Sequence, residues 1–148
     1  MLAGYETPID VKNDFSVQMN ELHTKLKENI GRIKDKIQTP RLIGWWKPDP
    51  NVDYRNPENH SKRIYFFGVE VSQIDNLLQD IVFNDLPESE FALYREERRG
   101  GHQEVYDWMN MEGYKFNELL AIDFEIFDSW DQTAEDSPCD ILVPIIKK

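Results

Sequence analysis

Apolar residues recur every three or four positions from Phe15 to Ile37. Phe15, Met19, Leu22, Leu26, Ile30, Ile33 and Ile37 form one stripe, with Lys and Glu elsewhere. The spacing predicts a long helix, capped at its start by Asp14 or Ser16, weakened a little by Gly31 and stopped at Thr39-Pro40. Ahead of it, "LAGYETPID" reads as a short strand ending at Pro8. Beyond it, "RLIGWWK" and "RIYFFGVEV" are strand-length runs rich in ring and branched side chains. The polar, turn-rich "PDPNVDYRNPENHSK" between them predicts a hairpin with a long connection.

The second half repeats this order. "IDNLLQD" predicts a short helical turn, and "IVFND" and "EFALYREE" predict strands. "RRGG" breaks the chain, and "HQEVYDWMNMEGY" resumes helical spacing through Val105, Trp108 and Met109, or Met111, with Gly113 placed as a C-cap. "IDFEIFDSW" and "DILVPII" close the sequence as strands linked by the polar "DQTAEDSP". Pro144 predicts that the last strand lies near an edge or carries a bulge. The elements run strand, helix, strand, strand, twice over, as a repeat of architecture without residue-level identity. The class is α+β, an antiparallel sheet with helices on one face, which leaves the other face free to form a concave surface.

Charge narrows the function classes. In a chain of 148 residues, the size of one domain, 28 acids face 17 Lys and Arg, a net charge of -11. That field repels phosphate backbones and anionic membrane surfaces, so neither nucleic acid nor membrane is an expected direct partner. A cationic or neutral partner suits it better, although acidic surfaces often serve solubility alone. Cys139 is the only cysteine, which excludes an internal disulfide. A basic-plus-apolar leader and a membrane-length apolar run are both missing from the sequence, which gives the expectation of a cytoplasmic protein. His23, His60 and His102 show no ligand spacing, and neither a metal nor another cofactor is expected.

Several segments resemble the GyrI-like family, the effector-binding domain of AraC-type and multidrug-sensing transcription regulators. "YFFGVEV" resembles the family's "Y-x-G-V-E-V" strand, and "DLPESEFALYREE" its "I-P-A-G-x-Y-A-V-F" segment. "EVYDWMNMEGYKF" is similar to the helix that follows, "IDFEIFD" to the "P-D-F-E-x-Y" strand, and "CDILVPIIKK" to the terminal "E-I-W-I-P-V-K" strand. Phe127 stands where the family often has Tyr, Phe91 replaces the Tyr of the proline segment, "ESE" replaces "AG", and "REERRGG" replaces the usual His-x-Gly. The first forty residues or so match only in their pattern of elements. The resemblance implies two pseudo-symmetric strand-helix-strand-strand units with a ligand cleft between them. It also implies binding of lipophilic, often cationic, small molecules by a glutamate among aromatic residues. That glutamate maps onto Glu125, and the acid of the "G-V-E-V" strand onto Glu70.

Read from its own residues, Glu125 has two placements. If its strand faces water on one side, Asp123 and Glu125 are the solvated half of an alternating pattern, with Ile122, Phe124 and Ile126 buried. The cleft reading draws on Phe127 on the same face, on Phe66 beside Glu70 in the other strand, and on the family position of both acids. Trp45 and Trp46 point to opposite faces, so at most one lines a cleft. The candidate ligand-binding set is therefore Glu125, Glu70, Phe127, Phe66, Trp45, Tyr94 and Trp108. A carboxylate attracts an organic cation by roughly 4 kcal/mol at about 4 Å where the effective dielectric is near 20. Aromatic faces add roughly 0.5 to 2 kcal/mol each.

The expected function is that of a stand-alone small-molecule-binding protein for lipophilic or cationic aromatic compounds, as a sensor or scavenger. Regulators with this domain normally carry a separate helix-turn-helix segment, so regulation of transcription would go through a partner chain. Two alternatives stand beside it. One is a hydrolase of reactive small molecules in which Glu125 or Glu70 acts as general base on water. The other is a protein-interaction module in the manner of the gyrase-inhibitory members, meeting a basic partner.

Overall fold

Residues 1–37, 41–75, 78–86, 88–96, 102–117, 123–130 and 138–148 are described in a computed structural model. Thr39-Pro40, Pro87, "RRGG", Ile122 and most of "DQTAEDSP" lie outside the described residues, as does the middle of "IDNLLQD". The elements are β1 (Leu2–Asp10), α1 (Ser16–Asn29), β2 (Leu42–Lys47), β3 (Lys62–Glu70), β4 (Val82–Asn84), β5 (Glu90–Glu96), α2 (Gln103–Glu112), β6 (Tyr114–Phe116), β7 (Phe124–Phe127) and β8 (Cys139–Lys147). They form one eight-stranded antiparallel sheet ordered β4-β1-β3-β2-β7-β8-β5, with β6 pairing β8. The fold is α+β, as the alternation of apolar patterns predicted.

That order is symmetric. β1-β3-β2 of the first half is mirrored as β7-β8-β5 of the second, and the two central strands, β2 and β7, pair antiparallel. A two-fold normal to the sheet relates the halves. Smaller features obey it too. A left-handed residue, Asp35 (φ 36) or Gly113 (φ 77), precedes a short stretch paired to the end of the unit's last strand, Lys36 with Val71 in one half and β6 with β8 in the other.

Strand alternation sorts side chains onto two faces. Leu22 and Leu26 of α1 and Val105 and Met109 of α2 join one buried cluster with Tyr5, Tyr65, Phe67, Phe127, Ile141 and Val143, which puts both helices on one face of the sheet. The other face carries a second buried cluster of Leu2, Ile43, Trp45, Phe66, Phe124 and Ile126. Each such side chain contributes about 1.5–3 kcal/mol when fully buried.

Three departures from the sequence pattern stand out. The stripe of α1 continues to Ile33, 2% exposed, but the α-helix ends at Asn29. The chain passes through a 3-10 turn at Ile30–Arg32 and then turns to β3, where Ile37 N–H donates to Glu70 O and Ser72 N–H to Asp35 O. Pairing of this backbone with the end of β3 overrides the helical spacing. Arg32 forks onto Asp80 at 2.8 Å, which fastens the turn to the segment before β4 and, chiefly through that hydrogen bond, holds the Asp80 carboxyl below its usual range. The second departure is that β1 runs through Pro8, opposite Ile64, to Asp10.

Third, β8 is an interior strand, contrary to the edge or bulge expected from Pro144. Pro144 O accepts from Asn117 N, the residue after β6, so the missing N–H points to the same side and costs at most the return bond of this terminal pair, past Phe116 opposite Ile145 and before β7 pairs at Leu142. The C-cap of α2 matches the sequence, whereas the N-cap of α1 falls on Phe15, between the two residues expected, and has no side-chain cap bond. Gly113 N–H returns to Met109 O as a left-handed cap, and Asp14 Oδ1 accepts from Ser16 N and Oγ at 2.9 and 2.6 Å, one residue before the helix boundary at Phe15.

Gly4 and Gly68 face each other across β1 and β3, and a Cβ on Gly4 would stand 2.2 Å from Phe67 O and 2.5 Å from Gly68 Cα. Gly4→Ala is expected to lower the unfolding free energy by about 1–3 kcal/mol. Gly31→Ala meets no heavy atom within 4 Å and is expected to be neutral or to stabilise by up to about 1 kcal/mol. Urea denaturation of the two variants checks both.

Candidate functional site

One row of directly paired residues crosses the helix-bearing face: Tyr5, Phe67, Gly44, Glu125, Ile141, Tyr94. A tyrosine stands at each end, and Gly44 and Glu125 share the midpoint, where the two halves meet. Glu125 is 8% exposed. It is therefore a buried carboxylate at the centre of the sheet, under the helices' side, and the solvated-face placement does not hold.

The neighbouring row supplies its partner. Trp46, two residues beyond Gly44 on the same face, donates its indole N–H to Glu125 Oε1 at 3.0 Å. Hydrogen bonds to a charged group contribute about 1.5–3 kcal/mol, part of what is needed to keep an acid in this position. Gly44 has no side chain, and Tyr65 fills the space. A Cβ there would lie 2.9 Å from the Tyr65 hydroxyl. That hydroxyl meets His23 Nε2 of α1 at 2.9 Å, and the His23 ring lies 4.0 Å from that of Phe67.

Rings complete the surround. Trp46 packs against Tyr65 at 4.8 Å and edge-on to Phe15 at 5.1 Å, while Phe67 touches Phe127 at 6.3 Å and Trp130 at 6.0 Å. Phe127 is 1% exposed, whereas Phe15, Trp46 and Trp130 are half-buried and form the outer part of this nest. On the other flank, Asp123 is 4% exposed and its Oδ2 lies 3.2 Å from Tyr106 Oη and 3.3 Å from His102 Nε2 of α2.

The seven residues nominated from sequence divide three ways. Glu125, Phe127 and Tyr94 share the helix-bearing face, Tyr94 lying under α2 with its hydroxyl on Glu104 at 2.9 Å. Phe66 and Trp45 belong to the cluster on the other face, where Trp45 stacks on Phe124 at 5.1 Å, and Glu70 follows them in the same alternation, exposed. Trp108 is 42% exposed on the outside of α2, stacked on Tyr114 at 5.5 Å. One surface cannot hold both acids, because they emerge on opposite sides of the sheet. Trp46, not Trp45, is the tryptophan beside the acid. The register of β2 against β7 decides between them, and strand alternation alone gives no sign of that register.

The fold and this face define a two-helix α+β sheet with a central buried carboxylate in an aromatic nest. Set against known proteins, the chain matches no family model and no curated sequence. Among the described residues, no helix is long and apolar enough to cross a membrane.

A double-mutant cycle of Trp46→Phe and Glu125→Gln is expected to give a coupling of about 1.5–3 kcal/mol in unfolding free energy. A coupling near zero would mean that the indole N–H does not stabilise the acid.

Proposed function

We propose that this chain is a small-molecule-binding protein of the GyrI-like kind, whose guest is a lipophilic organic cation held at Glu125 on the helix-bearing face. The observation that carries the reading is a carboxylate 8% exposed at the midpoint of the sheet, among the rings of Trp46, Tyr65, Phe67 and Phe127. A buried acid costs several kcal/mol unless it is compensated. Held by the Trp46 indole, the acid presents negative charge among apolar rings, a combination that suits a positively charged, lipophilic guest.

The surrounding rings suit such a guest. They offer apolar area and the negative faces that attract cations, and the half-buried Phe15, Trp46 and Trp130 provide the part of the nest open to solvent. Selection by charge and ring contact discriminates weakly by shape, so the protein accepts a range of aromatic cations, as a sensor or scavenger does. The net charge of -11 raises the local concentration of cations.

Titration with rhodamine 6G, followed by its fluorescence and by thermal shift, is expected to show saturable binding in the micromolar range. Glu125→Gln is expected to weaken it at least about tenfold. Glu70→Gln, an exposed acid on the far face, is the control and leaves the affinity unchanged. The reading fails if wild type shows no saturable binding up to millimolar dye, or if the two variants bind alike.

A further inference from the structure

The face opposite the helices is concave. Lys47 lies opposite Ile64, which lies opposite Pro8, whereas Asn84 lies opposite Leu2, so the two stand six residues apart along β1 and on strands three places apart in the sheet. On a flat sheet more than about 20 Å would separate their backbones. Lys47 Nζ nevertheless donates to Asn84 Oδ1 at 2.9 Å, so these two corners curl towards each other over this face. Gly4 and Gly68 lie between them, and the Phe66 ring folds over Gly68, where a Cβ would stand 2.6 Å from its Cζ. From Phe66 a row of rings, Trp45, Phe124 and Phe91, leads outward at 6.5, 5.1 and 5.9 Å to the side of β5, where Phe91 and Leu93 are exposed.

Polar groups gather under the curled corner. Lys47, largely buried, pairs with Glu6 Oε2 at 2.6 Å and lies over the Trp45 ring, 5.4 Å from its centre. The ammonium is thereby engaged by a carboxylate, an amide oxygen and a ring face. Two donors beside it are not engaged. Trp45 Nε1 and Asn84 Nδ2 are both buried, and among the described residues neither meets an acceptor. Trp45 as a whole is 8% exposed. Buried N–H groups in this state gain from an acceptor that reaches them.

We propose that this concave face is a second binding site, for an uncharged planar aromatic compound that carries a carbonyl oxygen. The oxygen accepts from Trp45 Nε1 and Asn84 Nδ2, and the rings beside them supply apolar contact. The cover that moves is Lys47, whose flexible stem lies over Trp45 at the side where Glu6 and Asn84 are partly open to solvent. Charge decides against an ion. Glu6 already neutralises Lys47, so a carboxylate guest would meet Glu6 without a free cation, and a cationic guest would meet Lys47. The site uses none of the residues around Glu125 and does not depend on the reading of that acid.

Indole N–H resonances of the ¹⁵N-labelled protein test this directly, because Trp45 and Trp46 report on opposite faces of the sheet. Loss of one resonance in Trp45→Phe and of another in Trp46→Phe identifies them. The probe is coumarin, a neutral planar lactone. Titration to millimolar coumarin is expected to shift the Trp45 resonance saturably and to leave that of Trp46 in place. Asn84→Asp keeps an acceptor for Lys47 but removes the amide donor, and is expected to weaken binding about fivefold. Coumarin-3-carboxylate is expected to bind wild type at least about fivefold more weakly than coumarin. If thermal shift shows that Asn84→Asp does not fold, Trp45→Phe takes its place, read by line broadening of the coumarin protons, with the same loss expected. A Trp45 resonance that stays still, an equal shift at Trp46, or unchanged affinity in the variant overturns the site. Equal affinity for the carboxylate overturns the choice of an uncharged guest. None of these outcomes bears on the rhodamine titration, which reads Glu125 on the other face.

Discussion

Among the described residues, one ladder of four residue pairs, between β2 and β7, joins the backbones of the two halves, and what they can do follows from what that ladder buries. Leu42 and Phe127 cover it on the helix-bearing face, and Ile43, Ile126, Trp45 and Phe124 cover it on the other. Seven of its eight residues are uncharged, and the eighth is Glu125. An acid at the joint of two apolar layers sits where water is hardest to replace, so its hydrogen bonds and its neighbours' charges matter more than anywhere on the surface. The glycine opposite it is part of the same arrangement. Without a Cβ at Gly44, Tyr65 can lie across the joint and link it to His23 of α1.

Symmetry places α1 and α2 on either side of this joint, and the two flanks differ chemically. On the α1 side, histidine meets a phenol, and both are packed against Phe67. On the α2 side, histidine and phenol both meet a carboxylate, Asp123. One backbone plan thus carries a nearly neutral flank and a charged one, with Glu125 between them. Lys47, on the far face, is paired with Glu6 at 2.6 Å and with Asn84 at 2.9 Å, over the Trp45 ring. The sheet itself, two apolar layers thick at this point, keeps that cation from Glu125.

Local pattern was a reliable guide wherever local forces decide. The strand-length apolar runs of β3 and β7, the period of Leu22 and Leu26, and the glycine at the end of α2 were each legible in a short stretch of the chain. It failed where a partner from another element intervenes. Ile33 and Ile37 continue the helical period, yet Ile33 closes a 3-10 turn onto Ile30 and the backbone from Asp35 to Ile37 is drawn into pairing with the end of β3. Pro144 reads as an edge residue, yet it occupies an interior strand, opposite Asn117 at the end of the β6 pairing.

The candidate site divides along the same line. Sequence by itself determined the α+β class, the twofold order of elements, the acidic field and the presence of an acid beside an aromatic in the strand of Glu125 and Phe127. Which face of each strand met which was settled only in three dimensions, because a change of one residue in register exchanges every side chain between the two sides of a sheet. That is why Trp46 meets the acid and Tyr65 and His23 share its side of the sheet, while Trp45, Phe66 and Glu70, equally apt by composition, lie across the sheet from it.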